Sequence, residues 1–233
     1  MKKPSFTLAE TLIVMGVIGV VAALTLPNLN QSTNNKEKVA KLQKIYSNLQ
    51  DAFGRAEAVY GPYDEWFTND TTNTARTKRT SERILEFMKI SKQCTTVSAC
   101  KLILDGKETS GGLDTSGEYG GILADGTSIR FYTSSSPSLS TTITVDIDGI
   151  NKGPNFRCKD IFYFSLNAIN GVNASEKFYL SGSDEVITSL GQGENKCTAW
   201  VLVNGNMDYL NLGSNGKCPD GQTLEFGKKT SCK

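Results

Sequence analysis

From Phe6 to Leu26 the chain is almost unbroken in apolar residues, FTLAETLIVMGVIGVVAALTL, with one charge at Glu10. Wound as a helix, such a run crosses a hydrocarbon layer of roughly 30 Å. Pro27 follows it, where a proline either kinks a helix or ends it. Beyond a polar stretch from Asn28 to Asn35, apolar residues recur at Val39, Leu42, Tyr46, Leu49, Phe53, Ala56 and Tyr60. Spacings alternating between three and four predict an amphipathic helix, ending near Gly61-Pro62. With a large domain still to come, that stripe is expected to pack on a sheet rather than form a coiled-coil seam.

The polar segment Thr68 to Thr80 reads as a loop, after which Ser81-Glu82 opens a short helix through Ile84, Leu85, Phe87 and Met88. From Ile122 the pattern changes to short strands separated by turn residues. Asp125-Gly126 precedes a strand from Thr127 to Tyr132, and Thr141 to Ile147 and Ile161 to Leu166 supply two more. Asn204-Gly205 is expected to turn a hairpin between Val201–Val203 and Met207–Leu210. The expected fold class is α+β, with antiparallel hairpins after the helices.

Composition narrows the chemistry. The 233 residues suit one globular domain with a short attachment segment. Net charge is +1, two of the positive charges being Lys2 and Lys3, so no nucleic-acid partner is expected. The absence of histidine removes Ser-His and Cys-His nucleophile pairs and every histidine-containing zinc site. Six cysteines, Cys94, Cys100, Cys158, Cys197, Cys218 and Cys232, all follow the apolar run. An even number there, with no C-x-x-C pair, predicts disulfides in an extracytoplasmic body. Cys94 with Cys100 closes the shortest loop, and the other four allow three connectivities.

The acid at position 10 discriminates among readings of the N-terminus. A Sec signal peptide has a basic start and an apolar core, with Val21-Ala22-Ala23 as a cleavage site, but its core is normally uncharged. A plain signal anchor explains the length and orientation, Lys2 and Lys3 staying on the cytoplasmic side. It leaves unexplained an acid that costs about 2.5 to 3.5 kcal/mol to insert.

A basic leader, a small residue, Phe6, Thr7-Leu8-x-Glu10 and some twenty apolar residues interrupted by a proline resemble the class III signal of type IV prepilins and type II secretion pseudopilins. The resemblance implies cleavage by prepilin peptidase between Ser5 and Phe6, and N-methylation of Phe6. Glycine is usual before the cut, and this chain has the similarly small Ser5. Glu10 becomes the fifth mature residue, whose carboxylate is expected to pair with the amino terminus of a neighbouring subunit during assembly. Neutralising both charges lowers the cost of burying either.

The implied architecture is pilin-like: a leader over 1–5, a transmembrane and assembly helix over 6–27, an amphipathic helix over 28–61, and an extracytoplasmic α+β domain over 62–233. The long helix would pack on the antiparallel sheet. VDIDGINKGPN, from Val145 to Asn155, and the strand-like CTAW, from Cys197 to Trp200, resemble segments that recur in bacterial prepilin-type proteins. Many pilins close a C-terminal disulfide loop, which favours Cys218 with Cys232 and leaves Cys158 with Cys197.

Asp146, Asp148, Asn151, Asn155 and Asp160 offer oxygens around Gly149. The set suits a structural Ca²⁺, as in a comparable loop of some pseudopilins, without the spacing of an EF-hand. A plain Asp-Gly turn uses the same residues. The expected function is a structural filament subunit with no catalytic centre. Its expected partners are other pilins, in a homo- or hetero-polymer, prepilin peptidase, the inner-membrane assembly platform and the membrane. It would lie in the cytoplasmic membrane before assembly and then in a cell-surface or periplasmic filament. The competing classes are a membrane-anchored or secreted enzyme and a binding protein, including an adhesin at a filament tip.

Overall fold

A computed structural model describes residues 7–95, 103–104, 107–108, 119–135, 139–149, 152, 155–167, 178–179 and 196–232, with backbone only at 24–32, 103–104, 107–108, 167, 178–179 and 196. The chain divides into two compact units, Met1–Lys38 and Val39–Lys233.

Helix α1 covers Leu8–Tyr60 and includes the position of Pro27. Among the described residues no helix is long and apolar enough to cross a membrane. The expected spanning run is described only in part, since Phe6 lies outside the described residues and side chains 24–32 are not described. The second half of α1 follows the predicted stripe. Val39, Leu42, Leu49, Phe53 and Ala56 are buried, joined by Ile45 and Ala52, while Tyr46 and Tyr60 sit half-buried at the rim. Tyr60 is the last helical residue, and Gly61 at φ +82° supplies the left-handed turn that stops the helix.

A 3₁₀ turn, Tyr63–Phe67, leads to α2, Asn73–Leu85. The helix therefore begins well before the expected Ser81. Thr72 caps it by accepting a hydrogen bond from the Ala75 N–H, and its inward face is polar. Thr77 Oγ1 accepts from the Thr133 N–H, and the hydroxyls of Thr80, Thr133, Thr141 and Tyr63 form one buried chain of contacts. Each hydroxyl has a partner, so burying them costs little.

The sheet runs in the order β1-β4-β5-β6-β7-β8 and is antiparallel throughout, with β1 Ile90–Cys94, β4 Tyr119–Leu123, β5 Ser128–Ser134, β6 Ser140–Asp146, β7 Ile161–Asn167 and β8 Phe178–Tyr179. Strands β2, Ile103–Leu104, and β3, Lys107–Glu108, pair separately. Cross-strand rows such as Phe131, Ile143 and Phe164 line one face, and the same register joins Ile129, Val145 and Phe162. All six belong to the core cluster that holds the α1 stripe. The fold class is α+β with an antiparallel sheet, as expected.

The expected hairpin at Asn204-Gly205 is instead the end of a helix, α3, Lys196–Asn204. Cys197, Ala199, Trp200 and Val201 face the core, and Trp200 is completely buried. Gly205, at φ +65°, returns its N–H to the Val201 carbonyl at 2.9 Å, the bond of a helix C-terminal cap. An Asn-Gly pair serves both a hairpin and a left-handed cap, because each needs a positive φ.

Candidate functional site

Two groups of residues carry the chemistry expected from the sequence. The first is the start of α1. Thr7 precedes the helix, and both its N–H and its hydroxyl donate to Glu10 Oε2 at 2.8 Å, while the Glu10 N–H reaches Thr7 Oγ1 at 3.3 Å. Thr-x-x-Glu at the cap and third helical positions is a reciprocal capping box, in which two otherwise orphaned backbone donors are satisfied. The sequence reading gave Glu10 an assembly role and overlooked this local one, although Thr7-Leu8-Ala9-Glu10 displays the spacing plainly. Ser5 and Phe6, at the expected cut, lie outside the described residues; Pro27 lies within α1, its side chain undescribed.

Around and beyond Glu10, large apolar side chains cover every side of α1. Leu8, Leu12, Ile13, Val14, Met15, Val17, Ile18, Val20 and Val21 are all more than half exposed, Leu8 at 81% and Met15 at 67%. Covering a side chain of this size is worth roughly 1.5 to 3 kcal/mol. A helix apolar all round is one that another medium or other helices enclose.

The second group is the aspartate turn after β6. Asp146 is buried at 1% exposure, its Oδ1 accepting the Gly149 N–H at 3.0 Å and its Oδ2 the Asn155 amide at 3.3 Å. Gly149 has φ +91°, and a Cβ there would stand 2.4 Å from the Gly126 carbonyl, so the turn packs against the β4–β5 turn at a distance only glycine permits. Lys41 of α1 ties both turns to the helix, donating from Nζ to the carbonyls of Ile147 and Asp125.

Of the five proposed calcium ligands the structure brings together Asp146, Asp148 and Asn155. The Asp148 and Asp146 side chains share a hydrogen bond, and Asp148 Oδ1 and Asn155 Oδ1 are buried without a hydrogen-bond partner. One Asp160 oxygen instead accepts the Phe156 N–H at 3.4 Å, and Asn151 lies outside the described residues. Among the described residues no group of three or more acidic or cysteine side chains is placed to hold a metal ion.

Burial, then the hydrogen bond that protonated Asp146 gives to Asp148, pushes the Asp146 carboxyl up to about 7. The unfolded chain gives up this proton near the ordinary carboxylate value while the folded chain holds it. In metal-free buffer, stability is therefore expected to be full below about pH 4, to fall as pH rises toward 7, and to level off above that. Since tenfold in proton affinity is about 1.4 kcal/mol, the loss amounts to a few kcal/mol. Denaturant unfolding of Asp146→Asn across this range should show a flatter profile than the parent; an identical slope would remove Asp146 as its source.

The disulfides follow the favoured pairing. Cys158 is bonded to Cys197 and Cys218 to Cys232. Cys94 is disulfide-bonded, and Cys100 lies outside the described residues. Comparison with known protein families, with characterised proteins and with solved structures finds no match to this chain.

Proposed function

We propose that this chain is a structural subunit, pilin or pseudopilin, of a type IV pilus or type II secretion pseudopilus. In this reading prepilin peptidase cuts between Ser5 and Phe6, Phe6 is N-methylated, and residues 6–27 hold the subunit in the cytoplasmic membrane before it polymerises. The observation that carries the reading is the exposed apolar surface of α1 on both sides of Glu10. Nine large side chains from Leu8 to Val21 need cover, which lipid supplies first and neighbouring subunits' helices supply afterwards. Glu10 is the one acid in the segment, and pairing with a neighbour's amino terminus would neutralise both groups as they leave water.

The disulfide-bonded sheet unit belongs outside the cytoplasm in this scheme, on the surface of the filament. Its partners are other pilin-type subunits, the peptidase and the inner-membrane assembly platform; it works by polymerising, not by catalysis. A structural Ca²⁺ in the aspartate turn is a finer part of the proposal. The orphaned oxygens of Asp148 and Asn155 beside the Asp146 carboxylate fit a cation better than they fit a dry turn.

Mass spectrometry of the mature amino terminus tests the reading directly. The expected chain begins at methylated Phe6. A chain starting at Leu24, or one retaining Met1, would refute it.

A further inference from the structure

One end of the sheet gathers several turns. Ile90, the first residue of β1, lies opposite Leu123, the last of β4. Asp146 at the end of β6 pairs with Ser128 at the start of β5 and with Ile161 at the start of β7. Lys41 fixes α1 to this same end through the Asp125 and Ile147 carbonyls.

Exposed cations reach it from three separate pieces of chain: Lys44 on α1, Lys89 before β1, and Lys152, Arg157 and Lys159 between β6 and β7. Among the described residues of these turns only Asp125 is an exposed acid. Asp146 and Asp160 are buried at 1% and 4% exposure, and Asp148 is half-buried. Phe156 is 39% exposed beside Lys159, whose ammonium lies 5.6 Å from its ring. Asp51 on α1, also exposed, lines one pocket with Lys44, Lys89 and Asp125, so acids and cations mix on the α1 side and the excess of cations lies between β6 and β7.

We infer that this turn-bearing end is a docking surface for anionic phospholipid, on which the subunit rests before assembly. The inference builds on the membrane-anchored reading above. A fan of lysine and arginine side chains with one protruding aromatic ring suits the headgroup zone, where cations meet lipid phosphates and the ring enters the interface.

The test uses the full chain reconstituted into vesicles of phosphatidylcholine, alone or mixed with phosphatidylglycerol, with bromine near the top of the acyl chains as a quencher. Phe156→Trp reports contact, because native Trp66 and Trp200 are buried at 3% and 0% exposure. Each cation at such a surface should favour the docked state about fivefold. Strong quenching is therefore expected with phosphatidylglycerol, and should disappear at high salt and in the triple variant Lys152→Glu/Arg157→Glu/Lys159→Glu. Retained disulfides and protease resistance show that the variant is folded.

Equal quenching in both vesicle types, or quenching unchanged in the triple variant, would overturn the docking surface while flotation with the vesicles leaves the membrane anchor standing. A chain that fails to float with either vesicle overturns the anchor itself, and docking falls with it. Binding of duplex DNA that the triple variant abolishes, without dependence on the lipid, would assign the cations to another polyanion and also overturn the inference.

Discussion

Glu10→Gln is expected to insert into the membrane normally and to yield no filament. The substitution separates the capping role that the structure shows from the assembly role proposed above. Glutamine can still accept hydrogen bonds at the third helical position, so the capping box with Thr7 survives and the start of α1 stays in place. What disappears is the negative charge, and with it the counter-ion for an amino terminus buried among apolar helices. Glu10→Ala removes both the cap and the charge. A cap is worth about 1 kcal/mol and affects the first turn alone, whereas an uncompensated buried charge costs several. Both variants should therefore fail to assemble, by sheared-filament yield, with equal amounts in the membrane. Filaments formed by the glutamine variant but not by the alanine variant would make Glu10 a helix cap and end its assembly role.

The second large effect lies in the body. Replacing Cys158 and Cys197 together by serine is expected to destabilise the fold by about 4 kcal/mol, the loop-closure contribution for 39 residues. The bridge joins the turn before β7 to the start of α3, and both ends depend on it. Cys158 has φ +64°, unusual outside glycine; its carbonyl accepts the buried Tyr209 hydroxyl at 2.7 Å. Such a conformation persists where its surroundings over-determine it. On the other side Cys197 opens the helix that buries Trp200. The same double substitution at Cys218 and Cys232 opens a loop of 14 and should cost about 3 kcal/mol. Denaturant midpoints of the two variants give the ranking, and a larger loss at the C-terminal bridge would show that chain entropy does not set the order.

Elements that bury an apolar face could be read directly. The stripe from Val39 to Tyr60 repeats at the helical period and packs as expected. Strands β5, β6 and β7 appear within a residue or two of their predicted positions, because alternating and continuous apolar runs bounded by turn residues have few other uses. The candidate N-terminal segment was legible for a similar reason. An uninterrupted apolar run with one acid admits few physical explanations, and Thr-x-x-Glu could have been read there too.

The errors fall where polar side chains go inside or where one short signal serves two geometries. Helix α2 starts at Asn73 because Thr77 and Thr80 find hydroxyl partners on β5, which no hydropathy pattern displays. CTAWVLVN is rich in β-branched and aromatic residues yet becomes α3, since the core on one side and the Cys158 bridge on the other outweigh a modest local preference.

The amino-acid sequence thus determined by itself the apolar run, its single acid, the amphipathic helix beyond it and the central strands, since each is a matter of period and local composition. Only the tertiary structure decided which oxygens meet in the aspartate turn, which cysteines join, and that scattered lysines and arginines share one end of the sheet. Those depend on residues far apart in the chain being brought within a few ångströms, and neither spacing nor hydropathy encodes that distance.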